Sequence, residues 1–111
     1  MYSRAIRPCF AVGAIVLSAV ATQAVQIGSV EEGLTIAHER CAACHLVVKE
    51  NGRSINEKAP TFARIANIPG MTPSALRVAL NTSHSTMPNL VIKDDDADSI
   101  IAYILSLRDN Q

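Results

Sequence analysis

The stretch Cys41-Ala42-Ala43-Cys44-His45 decides how the rest of the chain is interpreted. Two cysteines lie three positions apart, so a single turn of backbone can direct both sulfur atoms toward one bound group. His45 follows the second cysteine directly and adds an imidazole beside them. The stretch therefore predicts a site that holds a cofactor.

The pattern Cys-x-x-Cys-His is the attachment site of c-type haem. The two thiols can reach both vinyl groups of the porphyrin and form thioethers, and the histidine then lies under the iron as its proximal ligand. We therefore expect one covalently bound haem c per chain, attached at Cys41 and Cys44, with His45 bound to the iron.

Three other interpretations of the cysteine pair remain open at this point. A thioredoxin-type redox pair also uses Cys-x-x-Cys, but it needs a preceding strand and a parallel sheet, and the sequence shows no strand pattern. A disulfide between Cys41 and Cys44 would close a very small loop and stabilise little. A zinc site needs four ligands, and only His38 and His84 are available as further strong donors.

Haem iron also needs a sixth ligand or an open position, and Met87 is the expected ligand. It lies 42 residues after His45 in an irregular polar stretch that ends at Pro88. His84 is the alternative ligand. Met71 is expected to pack in the core, and His38 is expected at the surface.

The first 24 residues have the layout of a secretory signal peptide. Arg4 and Arg7 precede an apolar run from Phe10 to Ala21, which is shorter than the roughly 18 apolar residues that a membrane span needs. Cleavage after Ala21 or, preferably, after Ala24 fits the small residues there, and Cys9 would be removed with the leader. A retained membrane anchor is the alternative. The expected division is a signal peptide over residues 1–24 and one domain over residues 25–111.

The net charge and the small number of core residues in that domain limit the partners and the cofactors that it can have. It keeps eight basic and ten acidic residues, a net charge of −2, so nucleic acid is an unsuitable partner. Phe62 and Tyr103 are its only aromatic residues. A chain of 87 residues with so little core commonly depends on a disulfide, metal or cofactor. After export we expect a periplasmic domain with no stable membrane insertion.

Three helices are predicted, and the fold class is all-α. The first begins after Ser29, whose side chain can cap it, and the second begins at Pro73 after Thr72. The third begins near Asp94 with acidic residues in its first turn and Arg108 near its end, as the helix dipole favours. Its apolar face consists of Ala97, Ile100, Ile101, Ile104 and Leu107.

With these residues in place, the chain resembles the class I cytochromes c over nearly all of residues 25–111. The resemblance rests on Gly33, the Cys41–His45 motif, Ala59-Pro60-Thr61-Phe62, Thr86-Met87-Pro88 and Ile100-Ile101-Ala102-Tyr103. It implies that the N- and C-terminal helices cross beside Gly33, with a shorter middle helix, around one haem. It further implies that the Pro60 carbonyl accepts a hydrogen bond from His45 Nδ1 and that Phe62 packs on the porphyrin, which makes both cofactor-binding residues.

The chain departs from that family in a few places. Ala37 replaces the usual aromatic residue of the first helix, and the usual tyrosine and tryptophan at a haem propionate are missing. Arg64, Arg77 and Asn81 are the candidate propionate donors. Lys93 stands where many bacterial relatives have a capping serine, which predicts that the last helix caps one residue later.

The function implied is one-electron transfer by a diffusible monomer that is not an enzyme and exchanges electrons with protein partners. The alternative is a haem c subunit or dedicated electron acceptor of a periplasmic dehydrogenase. A third class is a ligand-binding or peroxidatic haem protein, which would need an open distal position.

Overall fold

Four helices make up the regular structure of the computed structural model, which describes residues 28–82 and 84–109. They are α1 (Val30–Arg40), α2 (Phe62–Ala66), α3 (Pro73–Asn81) and α4 (Asp94–Ser106). The described part of the chain contains no strand, only an isolated antiparallel bridge between His84 and Met87. The all-α prediction is confirmed, whereas the predicted leader over residues 1–24 lies outside the described residues. None of the helices in the described ranges is long and apolar enough to cross a bilayer.

Two helix starts follow from the predicted caps. The Ser29 hydroxyl accepts a hydrogen bond from the Glu32 amide at 3.3 Å, which satisfies one of the free donors of the first turn of α1. The Thr72 hydroxyl does the same for the Ala75 amide at 3.1 Å, and Pro73 occupies the first turn of α3.

The predicted cap of α4 is wrong by one residue. Lys93 itself occupies the cap position with an extended backbone, and its side chain makes no capping hydrogen bond. Lysine has no acceptor atom for this role. Asp94, Asp95 and Asp96 fill the first turn instead, where carboxylates stabilise the positive end of the helix dipole.

Helix α2 is the element that sequence periodicity misses. It has five residues, too few for an apolar stripe to repeat. The only local signal is Thr61, whose hydroxyl accepts a hydrogen bond from the Arg64 amide at 3.1 Å.

Helices α1 and α4 cross at Gly33, as the resemblance implies. A Cβ atom on Gly33 would overlap the backbone carbonyl of Ser99 and lie 2.7 Å from Tyr103 Cβ. The Ser99 hydroxyl accepts a hydrogen bond from the Ser29 amide and donates one to Glu32, both at 3.2 Å. The missing side chain therefore allows the two backbones to meet and exchange polar contacts.

The predicted apolar face of α4 is fully buried, with Ala97, Ile100, Ile101, Ile104 and Leu107 all in the core. Tyr103, beside that face, donates its hydroxyl to the Val47 carbonyl at 2.7 Å. Burial raises the pKa of Tyr103, so the phenol stays neutral and remains a donor. Because Val47 lies two residues after His45, this bond attaches the cysteine motif to α4.

Gly33→Ala is expected to destabilise the protein by about 2 kcal/mol. The added methyl group meets backbone that cannot rotate away, and forced overpacking of this kind outweighs the better helix propensity of alanine. Denaturant unfolding of the haem-loaded protein measures the loss. Gly52→Ala is the matched control, because a Cβ there would meet only the end of the Leu46 side chain, at 3.2 Å. Equal stability of the two variants would contradict the close crossing.

Candidate functional site

The cysteine motif lies on the turn that ends α1. The Cys41 amide still donates to the Ala37 carbonyl at 2.9 Å, and the Cys44 and His45 amides both turn back to the Cys41 carbonyl, at 3.1 and 2.9 Å. The turn therefore gathers the three side chains within one short segment. Cys41 is buried, Cys44 is half-buried, and both thiols are free.

A cavity of about 420 Å³ lies over this turn. Its volume is in the range of about 300–1,000 Å³ typical of cofactor and ligand sites. Most of its surface is apolar. The lining residues are Arg40, Cys41, Cys44, His45, Asn56, Lys58, Ala59, Pro60, Phe62, Ile65, Ile68, Met71, Leu76, Ala79, Leu80, His84, Thr86, Met87, Pro88, Leu90, Ile92 and Ile104.

His45 is oriented by the segment that leads into α2. Its Nδ1 atom lies 2.7 Å from the Pro60 carbonyl oxygen, and its ring centroid lies 5.4 Å from that of Phe62, with the planes tilted by 54°. The Phe62 amide in turn donates to the Leu46 carbonyl at 2.9 Å. The residue after the histidine and the first residue of α2 are thus joined through the backbone, which fixes the imidazole relative to the cavity.

Three further side chains that could bind a haem iron reach the cavity, namely Met71, His84 and Met87. Met87 is half-buried and its amide donates to the His84 carbonyl at 3.3 Å, whereas His84 itself is exposed. Met71 packs against the core, as expected, but it also borders the cavity. His38 is exposed and does not line it.

The electrostatics of Cys41 disfavour a reactive thiol pair. Burial raises the pKa of Cys41, the Arg40 charge opposes that rise, and Cys44 adds to it. A thioredoxin-type pair needs the opposite, a lowered pKa that supplies thiolate. In addition, no group of three or more histidine, cysteine or acidic side chains is placed to hold a metal ion within residues 28–82 and 84–109.

The donor set fits a haem. Two thiols and an imidazole come from one turn, a thioether reaches the same cavity, and aliphatic and aromatic side chains surround them, as covalent attachment and axial ligation require.

The candidate propionate donors do not lie at this cavity. Neither Arg64, Arg77 nor Asn81 lines it. Arg77 forms ion pairs with Asp98 and, at 3.8 Å, with Asp94, which ties α3 to α4. The polar side chains that do line it include Arg40, Asn56 and Lys58. Sequence reasoning missed these three, since nothing in their local pattern distinguishes them from surface residues.

The chain is similar in sequence to a known cytochrome. The chain is 35% identical over 77 residues to cytochrome c-552 of Bradyrhizobium diazoefficiens, an alignment that covers 68% of this chain and 72% of that protein. No protein-family model matches the chain. No solved structure matches it significantly.

Proposed function

Because the chain belongs to the c-type cytochromes, we propose that it is a periplasmic one-electron carrier whose haem is attached at Cys41 and Cys44 and whose iron is bound by His45 and Met87. Membership of the family gives the chain electron transport as its function and covalently bound haem c, with its iron, as its cofactor. The finer proposal is carried by one observation. Both cysteines, the histidine and Met87 line a single apolar cavity.

His45 is suited to be the proximal ligand because its two ring nitrogens can have different roles. The Pro60 carbonyl can only accept a hydrogen bond, so the 2.7 Å contact assigns the proton to Nδ1. Nε2 then keeps its lone pair for a metal. A carbonyl that accepts a hydrogen bond from Nδ1–H also orients the ring and makes the ligand more basic.

Met87 is suited to be the distal ligand because a thioether is a soft, uncharged donor. Such a ligand favours ferrous over ferric iron and raises the reduction potential, which suits an electron acceptor. Haem supplies one-electron exchange at its iron when it is bound. The chain's own contribution is an apolar enclosure and ligands held at both ends, so little has to rearrange when the charge changes.

We propose that the protein is not an enzyme. Two protein ligands on iron leave no position for a substrate, and no carboxylate is among the described residues that line the cavity. The partners would be a protein donor and a protein acceptor, reached as a diffusing monomer. Service as a haem c subunit or dedicated acceptor of a dehydrogenase is the second candidate, because the same site would serve it.

The periplasmic location is supported by the composition of residues 1–24. The leader-like sequence precedes the cysteine motif, as a secretory signal precedes the domain that it exports. We propose that cleavage follows Ala24 and that residues 25–111 form the exported domain.

Acid–acetone extraction of the purified protein is expected to leave the haem on the polypeptide. Thioethers survive denaturation, so colour should remain with the protein when it is matured in a host that assembles c-type cytochromes. Cys41→Ser should leave one thioether at most and lower the yield of holoprotein several-fold. Cys9→Ser is the matched control and should leave the yield unchanged, since Cys9 lies in the proposed leader. Complete extraction of haem from the wild type would contradict attachment.

The carrier proposal itself is tested by spectroscopic redox titration. The ferric protein should show the red-region absorption band of a methionine–iron bond and titrate as one reversible one-electron couple. An absent band, together with rapid cyanide binding, would indicate an open distal position and a ligand-binding or peroxidatic protein.

A further inference from the structure

The segment between α3 and α4 carries Met87 but has little holding it. Within the described residues 84–92 one hydrogen bond is internal: the Met87 amide donates to the His84 carbonyl at 3.3 Å, three residues away. Val91, farther along, is 87% exposed. Leu90 and Ile92 are half-buried on the cavity side. A segment with so few anchors opens locally more easily than the helices on either side.

One contact joins this segment to a distant part of the chain. The Arg40 Nη2 atom donates to the Val91 carbonyl at 3.0 Å, across 51 residues of sequence. Among the described residues this is the only hydrogen bond that connects residues 84–92 to any other region.

At the other end of this contact the Arg40 side chain is exposed, but its backbone is part of α1. Arg40 is the last residue of α1 and directly precedes Cys41, whose amide is still bonded to the Ala37 carbonyl at 2.9 Å. The Arg40 side chain also lines the cavity. Its guanidinium therefore connects the turn that carries the attachment cysteines with the segment that carries Met87.

We propose that Arg40 is a positioning residue that holds the Met87 segment over the cavity and so keeps the distal ligand on the iron. The inference rests on the proposed function, namely on Met87 as the ligand. Loss of the Arg40–Val91 bond leaves residues 84–92 with local bonds and apolar contacts alone. Met87 then departs more often, although no residue that binds iron has changed.

Cyanide binding to the ferric holoprotein tests this role, because cyanide has to wait until the distal ligand leaves. Arg40→Met removes every donor but keeps the apolar stem of the side chain. It should raise the rate constant for cyanide binding by up to about fivefold, the upper end of the effect of one solvent-exposed charged hydrogen bond, and should weaken the red-region band. Arg40→Lys keeps the charge and one donor and should fall between Arg40→Met and the wild type.

Arg53→Met is the matched control. Arg53 is exposed and makes no hydrogen bond or ion pair with the described residues, so its replacement removes the same charge and should leave the rate constant unchanged. If the wild type shows the band but Arg40→Met binds cyanide at the wild-type rate, Arg40 has no positioning role, even if the variant melts at a lower temperature. If the wild type lacks the band, the assignment of Met87 fails, and this inference fails with it.

Discussion

Replacing Met87 with alanine is expected to abolish the red-region band, lower the reduction potential and open the iron to cyanide and carbon monoxide. Alanine offers no atom that can bind iron, so the distal position is taken by water or stays open. The thioether stabilises ferrous iron more than ferric iron, so its removal destabilises the ferrous state more. The fall in potential should be on the order of 0.1 V, well inside the roughly 0.8 V that axial ligands span. Absorption spectra, a redox titration and cyanide binding measure the three effects.

Three companion variants separate Met87 from its neighbours at the cavity. Met87→His should keep the iron six-coordinate yet lower the potential, because imidazole favours ferric iron more than a thioether does. His84→Ala and Met71→Leu should leave all three observables nearly unchanged, although both residues line the same cavity. If His84→Ala removes the sixth ligand and the Met87 variants do not, the protein is a bis-histidine carrier that works at a lower potential.

The elements of the fold that the sequence predicts are those whose signals are local. Ser29 and Thr72 identify helix starts because a cap acts within one turn. The crossing at Gly33 was expected from the family resemblance, and it explains a glycine that would otherwise be unfavourable inside a helix. Helix α2 is not predicted because so short a helix depends on the residues it packs against, and these tertiary contacts leave no periodic pattern in its sequence. Lys93 misleads for the opposite reason, since the three aspartates after it suffice to start α4 without a side-chain cap.

The candidate site divides in the same way. Cys41, Cys44 and His45 share a turn, so their spacing alone predicts their convergence. The approach of Pro60 to His45, 15 positions apart in the sequence, was expected only from family resemblance. The hydrogen bond from Arg40 to Val91 and the ion pair between Arg77 and Asp98 depend on how whole helices pack. Contacts of this kind have no local sequence pattern, so the sequence does not predict them.

Haem-free protein is expected to lose most of its tertiary structure. The cavity of about 420 Å³ is bordered by core residues such as Phe62, Leu76 and Ile104. Apolar side chains that border an unfilled cavity lose packing contacts, and the loss grows with the volume left empty. Native proteins have only about 5–15 kcal/mol of stability in total, so we expect a loss of this kind to weaken the native packing strongly.

The Cys41→Ala/Cys44→Ala double variant, purified without haem, provides the measurement. Far-ultraviolet circular dichroism should show a weak helical signal and a broad thermal transition, where the holoprotein shows a strong signal and a sharp one. Added haem should restore much of the helix in this variant, because His45 and Met87 remain as ligands and a group that binds only the native state stabilises it. The same variant with Met87→Ala should recover less, and this comparison separates ligation from simple filling of the cavity.

The helix that survives without haem should come from α1 and α4, whose crossing at Gly33 and Ser99 lies outside the cavity lining. A haem-free protein that melts cooperatively with full helical signal would mean that the chain closes its core unaided, and the cavity would then be a preformed site that haem merely enters.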